Sequence, residues 1–169
     1  MMIIVSGLTG SGKSYFASRL AREINADYLN SDITRKEMDA RGQYGFDDKL
    51  NVYEEMARRA GEALREGRTV VVDATFYRTE MREIFLTLAR LLYQKVACFE
   101  IEADEDIIRE RLSRPRVDSQ ADFSVYKLLQ PQYEEMDHQH LVIKSGTDNI
   151  DSMLRQAKQY IESLAEFRK

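Results

Sequence analysis

Hydrophobic positions along this chain follow two periods. Short apolar runs of strand type at residues 2–5, 26–30, 69–73, 95–101 and 140–143 alternate with longer stretches of helical spacing. Residues 15–24 place Phe16, Ala17, Leu20 and Ile24 on one helical face. Residues 49–66 do the same with Val52, Met56, Ala60, Ala63 and Leu64, and Gly67 supplies a stop. Residues 79–92 bring Met81, Ile84, Phe85, Leu88, Leu91 and Leu92 into phase. A closing helix over 149–167 turns Ile150, Leu154, Ala157, Ile161 and Leu164 inward. Shorter helices are expected over 33–40, over 104–113 with Asp104 as N-cap, and over 122–136, where Pro131 should end or kink the helix. Residues 41–48, with Gly42, Tyr44 and Gly45, read as a loop, and Pro115 breaks the pattern over 114–121. Strands alternating with helices predict an α/β, three-layer fold: a five-stranded parallel sheet covered on both faces. Ligands of such sheets bind at the carboxyl ends of the strands.

Composition changes this picture little. A chain of 169 residues reads as one domain over 1–169 with a real core. No apolar run approaches a membrane span, and no leader pattern opens the chain, so no membrane partner is expected. The lone Cys98 lies in an apolar strand and reads as a small core residue; a reducing, cytoplasmic setting is the default expectation. A net charge of −4 gives no general attraction to nucleic acid, so any such contact needs a local basic patch.

The loop between the first strand and the first helix reads Gly7-Leu8-Thr9-Gly10-Ser11-Gly12-Lys13-Ser14, which fits the phosphate-binding G-x-x-x-x-G-K-[ST] pattern. A helix N-terminus presents unpaired N–H groups and the positive end of its dipole to phosphate oxygens. Gly7, Thr9, Gly10, Ser11, Gly12, Lys13, Ser14 and the following Tyr15 are therefore the expected nucleotide-binding residues, with Lys13 at the β- and γ-phosphates and Ser14 on Mg²⁺. The Rossmann G-x-G-x-x-G spacing is absent.

Other candidates lie at strand ends. Asp73 follows Val70-Val71-Val72 and suits Mg²⁺, or else caps the next turn. Asp32 follows the second strand; it could accept a proton from an attacking hydroxyl, with Arg35 one helical turn on to orient it, or N-cap the helix at Ile33. Arg109, Arg111, Arg114 and Arg116 crowd the Pro115 break and suggest a phosphate-clamping lid over 114–121, with Arg114 and Arg116 the first choices. Ser145-Gly146-Thr147 could touch a base or form a turn. His138 and His140 read as structural, and Arg58, Arg59 and Arg65 as a solvated helix face.

Four blocks together carry a family resemblance: Gly7–Ser14, Ser31-Asp32-Ile33-Thr34-Arg35-Lys36, Val71-Val72-Asp73-Ala74-Thr75-Phe76 and Arg109-Glu110-Arg111-Leu112-Ser113-Arg114. Across nearly its whole length the chain resembles the predicted-kinase, AAA_33-like branch of small P-loop kinases. That branch is related to polynucleotide 5′-kinases, zeta toxins, chloramphenicol phosphotransferases and gluconate kinases. The resemblance implies a nucleoside-monophosphate-kinase-type sheet of order 2-3-1-4-5, with ATP and Mg²⁺ as cofactors. It also implies transfer of the γ-phosphate to a hydroxyl, with Asp32 as general base, Arg35 as its partner, Arg114 as the lid arginine and Ser145 to Thr147 beside the adenine. The expected partner is an unidentified small-molecule alcohol. Alternatives are a 5′-hydroxyl oligonucleotide, or no acceptor at all in a nucleotide-binding regulatory module.

Overall fold

A computed structural model describes residues 1–40, 45–114 and 121–166. The central sheet has five parallel strands in the order β2-β3-β1-β4-β5: β1 Met2–Ser6, β2 Asp27–Asn30, β3 Val70–Asp73, β4 Val96–Glu102 and β5 Leu141–Lys144. The helices between them are α1 Lys13–Glu23, α2 Ser31–Glu37, α3 Phe46–Arg65, α4 Thr79–Leu91, α5 Glu105–Leu112, α6 Phe123–Leu129 and α7 Ile150–Glu166.

Both faces of the sheet's central strands, β1 and β3, are buried, as a parallel sheet requires. Because strand side chains alternate, Met2 and Ile4 pack on one side with Val52, Met56, Met81 and Phe85 from α3 and α4. Ile3 and Val5 pack on the other with Phe16 and Leu20 of α1 and Met153 and Leu154 of α7. Cys98 is buried in the first of these layers, and burial pushes its thiol up to about 12, so it is inert packing. Among the described residues no helix is long and apolar enough to cross a membrane.

Two expectations needed correction, and a third held. Helix α2 begins at Ser31, two residues before Ile33, because Asn30 rather than Asp32 caps it: the Asn30 side chain accepts the N–H groups of Asp32 at 2.9 Å and Ile33 at 3.0 Å. Over 122–136 the expected break at Pro131 is found: Asp122 caps α6, and Pro131 sits in a 3₁₀ turn, Gln130–Gln132, that ends it. Asp104 stands at the N-cap of α5 but makes no side-chain cap bond; it pairs with Lys144 at 2.7 Å instead.

One buried charge ties two loops together. Arg82 is 1% exposed and donates to the carbonyls of Phe76 (2.9 Å), Glu134 (3.0 Å) and Glu135 (3.0 Å) and to the Thr79 hydroxyl (2.9 Å). It holds Phe76 where a bulky residue is strained, at φ 47°, with its ring between Tyr53 and Phe85. Arg82→Met fits the space but orphans three carbonyls. The expected cost is about 3 kcal/mol. Calorimetry should show Tm lower by roughly 10 °C.

Candidate active site

The loop after β1 is shaped by what glycine permits. Gly7 lies at φ 150°, where a Cβ would come within 2.5 Å of the Ile101 carbonyl oxygen. Gly12 lies at φ 92°, and a Cβ there would meet the Ser145 hydroxyl at 2.7 Å. Gly12 is also the N-cap of α1; no side chain caps that helix and no acidic residue stands in its first turn. Its leading N–H groups are thus available to an anion. The Ser11 hydroxyl is buried and makes no hydrogen bond among the described residues. Thr9 is buried beside it, and Tyr15 is exposed with the Arg19 guanidinium 4.4 Å from its ring.

Two clefts meet at this loop. The first, about 500 Å³, runs from Gly12 and Lys13 along Arg111 and Arg114 to Gly146 and Thr147. The second, about 650 Å³, runs from Thr9 and Lys13 to Asn30, Asp32, Arg35 and Lys49. Lys13, Ser14 and Tyr15 line both.

Behind Ser14 lies a buried polar group. Asp73 is 0% exposed, and its Oδ2 accepts from the Tyr28 hydroxyl at 2.6 Å and the Asn30 amide at 2.6 Å. Register explains the meeting: Asn30 lies opposite Asp73 on the neighbouring strand, and Tyr28 shares its face two residues back. Burial, and then the Asp73 charge, raise the Tyr28 pKa and keep the phenol a donor. The Asn30 amide also donates to Ser14 Oγ at 3.4 Å. Asp73 Oδ1 is buried and has no hydrogen-bond partner among the described residues. An unpartnered carboxylate oxygen, and a hydroxyl joined to the same carboxylate through the Asn30 amide, are a fitting donor set for Mg²⁺, which takes few protein ligands and keeps several waters.

In the second cleft Asp32 is freed from capping. It lies in the first turn of α2 and accepts from Arg35 Nη1 at 3.0 Å. The Asp32 side chain is 34% exposed and that of Arg35 6%, and both line the cleft, with the more open carboxylate held by the more buried guanidinium. Lys49, from the first turn of α3, enters the same cleft. Burial, then the positive charges of Arg35 and Arg78, lower its pKa.

The arginines separate by helix face. Arg111 lies on the side of α5 that faces the loop after β1. It donates to the Gly10 carbonyl (3.2 Å), the Ser11 carbonyl (3.0 Å), the Ser145 hydroxyl (3.0 Å) and the Gly146 carbonyl (2.6 Å), clamping the phosphate loop to the loop after β5. Arg114 is exposed at the rim of the first cleft and pairs with Glu110 at 3.2 Å. Arg109 pairs with Glu105 at 3.2 Å on the outer face. Arg116 and the lid residues 115–120 lie outside the described residues, as do 41–44 and 167–169. Thr147 is exposed at the mouth of the first cleft, in a loop braced by Asn149, whose side chain accepts the Gly146 N–H at 2.8 Å and donates to the Lys144 carbonyl at 2.9 Å. His138 meets Glu83 at 2.8 Å and His140 meets Glu100 at 3.4 Å, away from both clefts.

Sheet order, phosphate loop and paired clefts define a P-loop protein of the small-kinase fold. The chain belongs to the AAA_33 family, described as an AAA domain, whose model matches residues 2–136. The structure is similar to a gluconokinase from Sinorhizobium meliloti, with a TM-score of 0.75, 18% identity, and coverage of 98% of this chain and 93% of that one. It is similar to the APS kinase CysC of Mycobacterium tuberculosis in complex with AMPPNP and APS, with a TM-score of 0.75, 16% identity, and coverage of 95% and 96%. In sequence, it is 24% identical over 159 residues to an uncharacterized protein of M. tuberculosis; the match takes in 86% of this chain. It takes in 32% of that protein, so the chain spans about a third of the length of the curated relatives it matches.

Proposed function

We propose that this protein is an ATP- and Mg²⁺-dependent kinase that phosphorylates a hydroxyl of a small molecule. One observation carries the reading. The two clefts share Lys13, Ser14 and Tyr15, and Asp32 lines only the second. Nucleotide in the first cleft brings its terminal phosphate to the junction, and an acceptor in the second meets it beside Asp32.

The chemistry then follows from the residues. The α1 N-terminus and Lys13 hold the phosphates. The acceptor O–H gives its proton to the Asp32 carboxylate as its oxygen bonds to the γ-phosphorus. The bond from that phosphorus to the bridging oxygen breaks, and ADP leaves. Ser14 and Asp73 would hold Mg²⁺, which would neutralise the charge that develops on the transferring phosphoryl group. Arg111 fixes the loop, and Arg114 stands at the cleft rim as the lid-side cation. The buried Cys98 thiol suits a reducing cytoplasm.

Oligonucleotide phosphorylation would need a basic channel to Asp32. Arg58 is paired with Glu55 and Glu62, and Arg59 with Glu55 and Glu37, so that stretch of α3 offers phosphates no net positive charge. This favours a small acceptor. The test is ADP release across sugars, sugar acids, nucleosides, aminoglycosides, simple alcohols and 5′-hydroxyl oligonucleotides. Acceptor-stimulated turnover with one small-molecule class is the expected result. Label transfer only to oligonucleotide would replace the reading, and slow hydrolysis indifferent to every acceptor would favour a regulatory module.

A further inference from the structure

The acceptor cleft crowds like charges around an apolar wall. Lys49 Nζ lies over the Tyr77 ring, 4.7 Å from its centroid, and the Arg78 guanidinium lies 5.8 Å from the same centroid and 5.1 Å from that of Phe46. Lys49 stands in the first turn of α3, where the helix dipole disfavours a cation. Its turn-mate Asp48 is engaged elsewhere, accepting the Gly45 N–H at 3.0 Å. No carboxylate among the described residues lies within ion-pair distance of Lys49. The carboxylate of Asp32 is spent on Arg35, and that of Glu134 accepts the Thr79 N–H at 2.7 Å close to Arg78. Tyr53, Tyr77, Val125, Leu128 and Leu129 complete the wall.

Bringing ammonium and guanidinium groups together in a half-buried cleft is unfavourable unless an anion joins them. Asp32 cannot be that anion while it serves Arg35 and the reacting hydroxyl. We propose that the acceptor is itself an organic anion: a hydroxyl compound with an apolar or planar body and a carboxylate or phosphate that seats on Lys49, with Arg78 behind it. This rests on the kinase reading and adds the substrate class. The hydroxyl lies toward Asp32 and the anionic end toward Lys49, so charge selects the substrate and also fixes its direction in the cleft.

Matched probes test this by binding, without requiring turnover. With Mg²⁺ and AMPPNP present, calorimetry would compare 4-(hydroxymethyl)benzoate with its primary amide, gluconate with glucose, and glycerol 3-phosphate with glycerol. An anionic member should bind at least about tenfold tighter than its neutral partner. Lys49→Met should erase that preference while AMPPNP affinity stays unchanged, and Lys49→Arg should keep most of it, which separates lost charge from a misfolded helix. The carboxylate and phosphate pairs show which anion the cleft takes. Equal binding within every pair, no binding of any anionic member, or a preference that survives Lys49→Met would overturn the inference. The kinase reading fails separately, if an anionic probe binds at Lys49 yet labelled ATP transfers phosphate to none of them.

Discussion

Lys13→Ala should leave the protein folded and remove productive use of ATP. Lys13 begins α1 beyond the Gly12 N-cap and lines both clefts, so its amino group stands at their junction. No carboxylate among the described residues pairs with it, which leaves the charge for a ligand. Truncation therefore deletes a cation at the β- and γ-phosphates without orphaning a protein partner. The α1 N–H groups and Ser14 remain, so AMPPNP binding weakens but persists, whereas turnover falls on the order of 10²–10³-fold. Calorimetry with Mg²⁺ and AMPPNP and an ADP-release assay read the two effects separately. Tm should be nearly unchanged, because Lys13 is half-exposed in a first helical turn. ATP-dependent activity at the level of the parent protein would mean that the loop at Gly7 is not the site.

The conformation of the loop from Gly7 to Ser14 was legible in the sequence because it is built from backbone. Glycines at fixed offsets, an apolar strand before them and an amphipathic helix after them leave one arrangement of N–H groups, whatever packs around it. The pairing of Arg35 with Asp32 was legible too, since residues three apart on a helix are neighbours. What the sequence hid depends on contacts between distant elements. Tyr28 and Asn30 converge on Asp73 only through the β2–β3 register, across some forty residues. The cap on α2 illustrates competition: Asn30 and Asp32 are both good caps, and the strand end decided for Asn30. Four arginines around Pro115 looked alike as charges. The buried stripe of α5, Ile108 and Leu112, does not separate them either, because Arg109 and Arg111 flank it symmetrically; only the packing of α5 against the phosphate loop turns Arg111 inward. Lys49 gave no signal, because a lysine opening a long amphipathic helix reads as solvated; only the seating of α3 against Tyr77 turns it into a cleft residue.

Asp32→Asn separates a catalytic carboxylate from a structural one. The amide keeps the size of the side chain, and its oxygen can still accept from Arg35, so the guanidinium, with 6% of its side chain exposed, is not left without an acceptor. The loss of charge on a partly exposed group should cost about 1 kcal/mol. AMPPNP affinity should stay within about twofold, because Asp32 lines only the acceptor cleft. Phosphoryl transfer should fall about 10²–10⁴-fold, since the amide cannot take the hydroxyl proton. Rapid-quench measurement of a single turnover isolates that step from product release. If Asp32 serves only to anchor Arg35, the asparagine preserves the anchor and transfer survives. Arg35→Met then supplies the converse. It removes the support while leaving the base, so it should loosen acceptor binding and misplace the carboxylate, raising KM and lowering kcat together. Full single-turnover transfer by Asp32→Asn would assign proton acceptance to another group or to solvent.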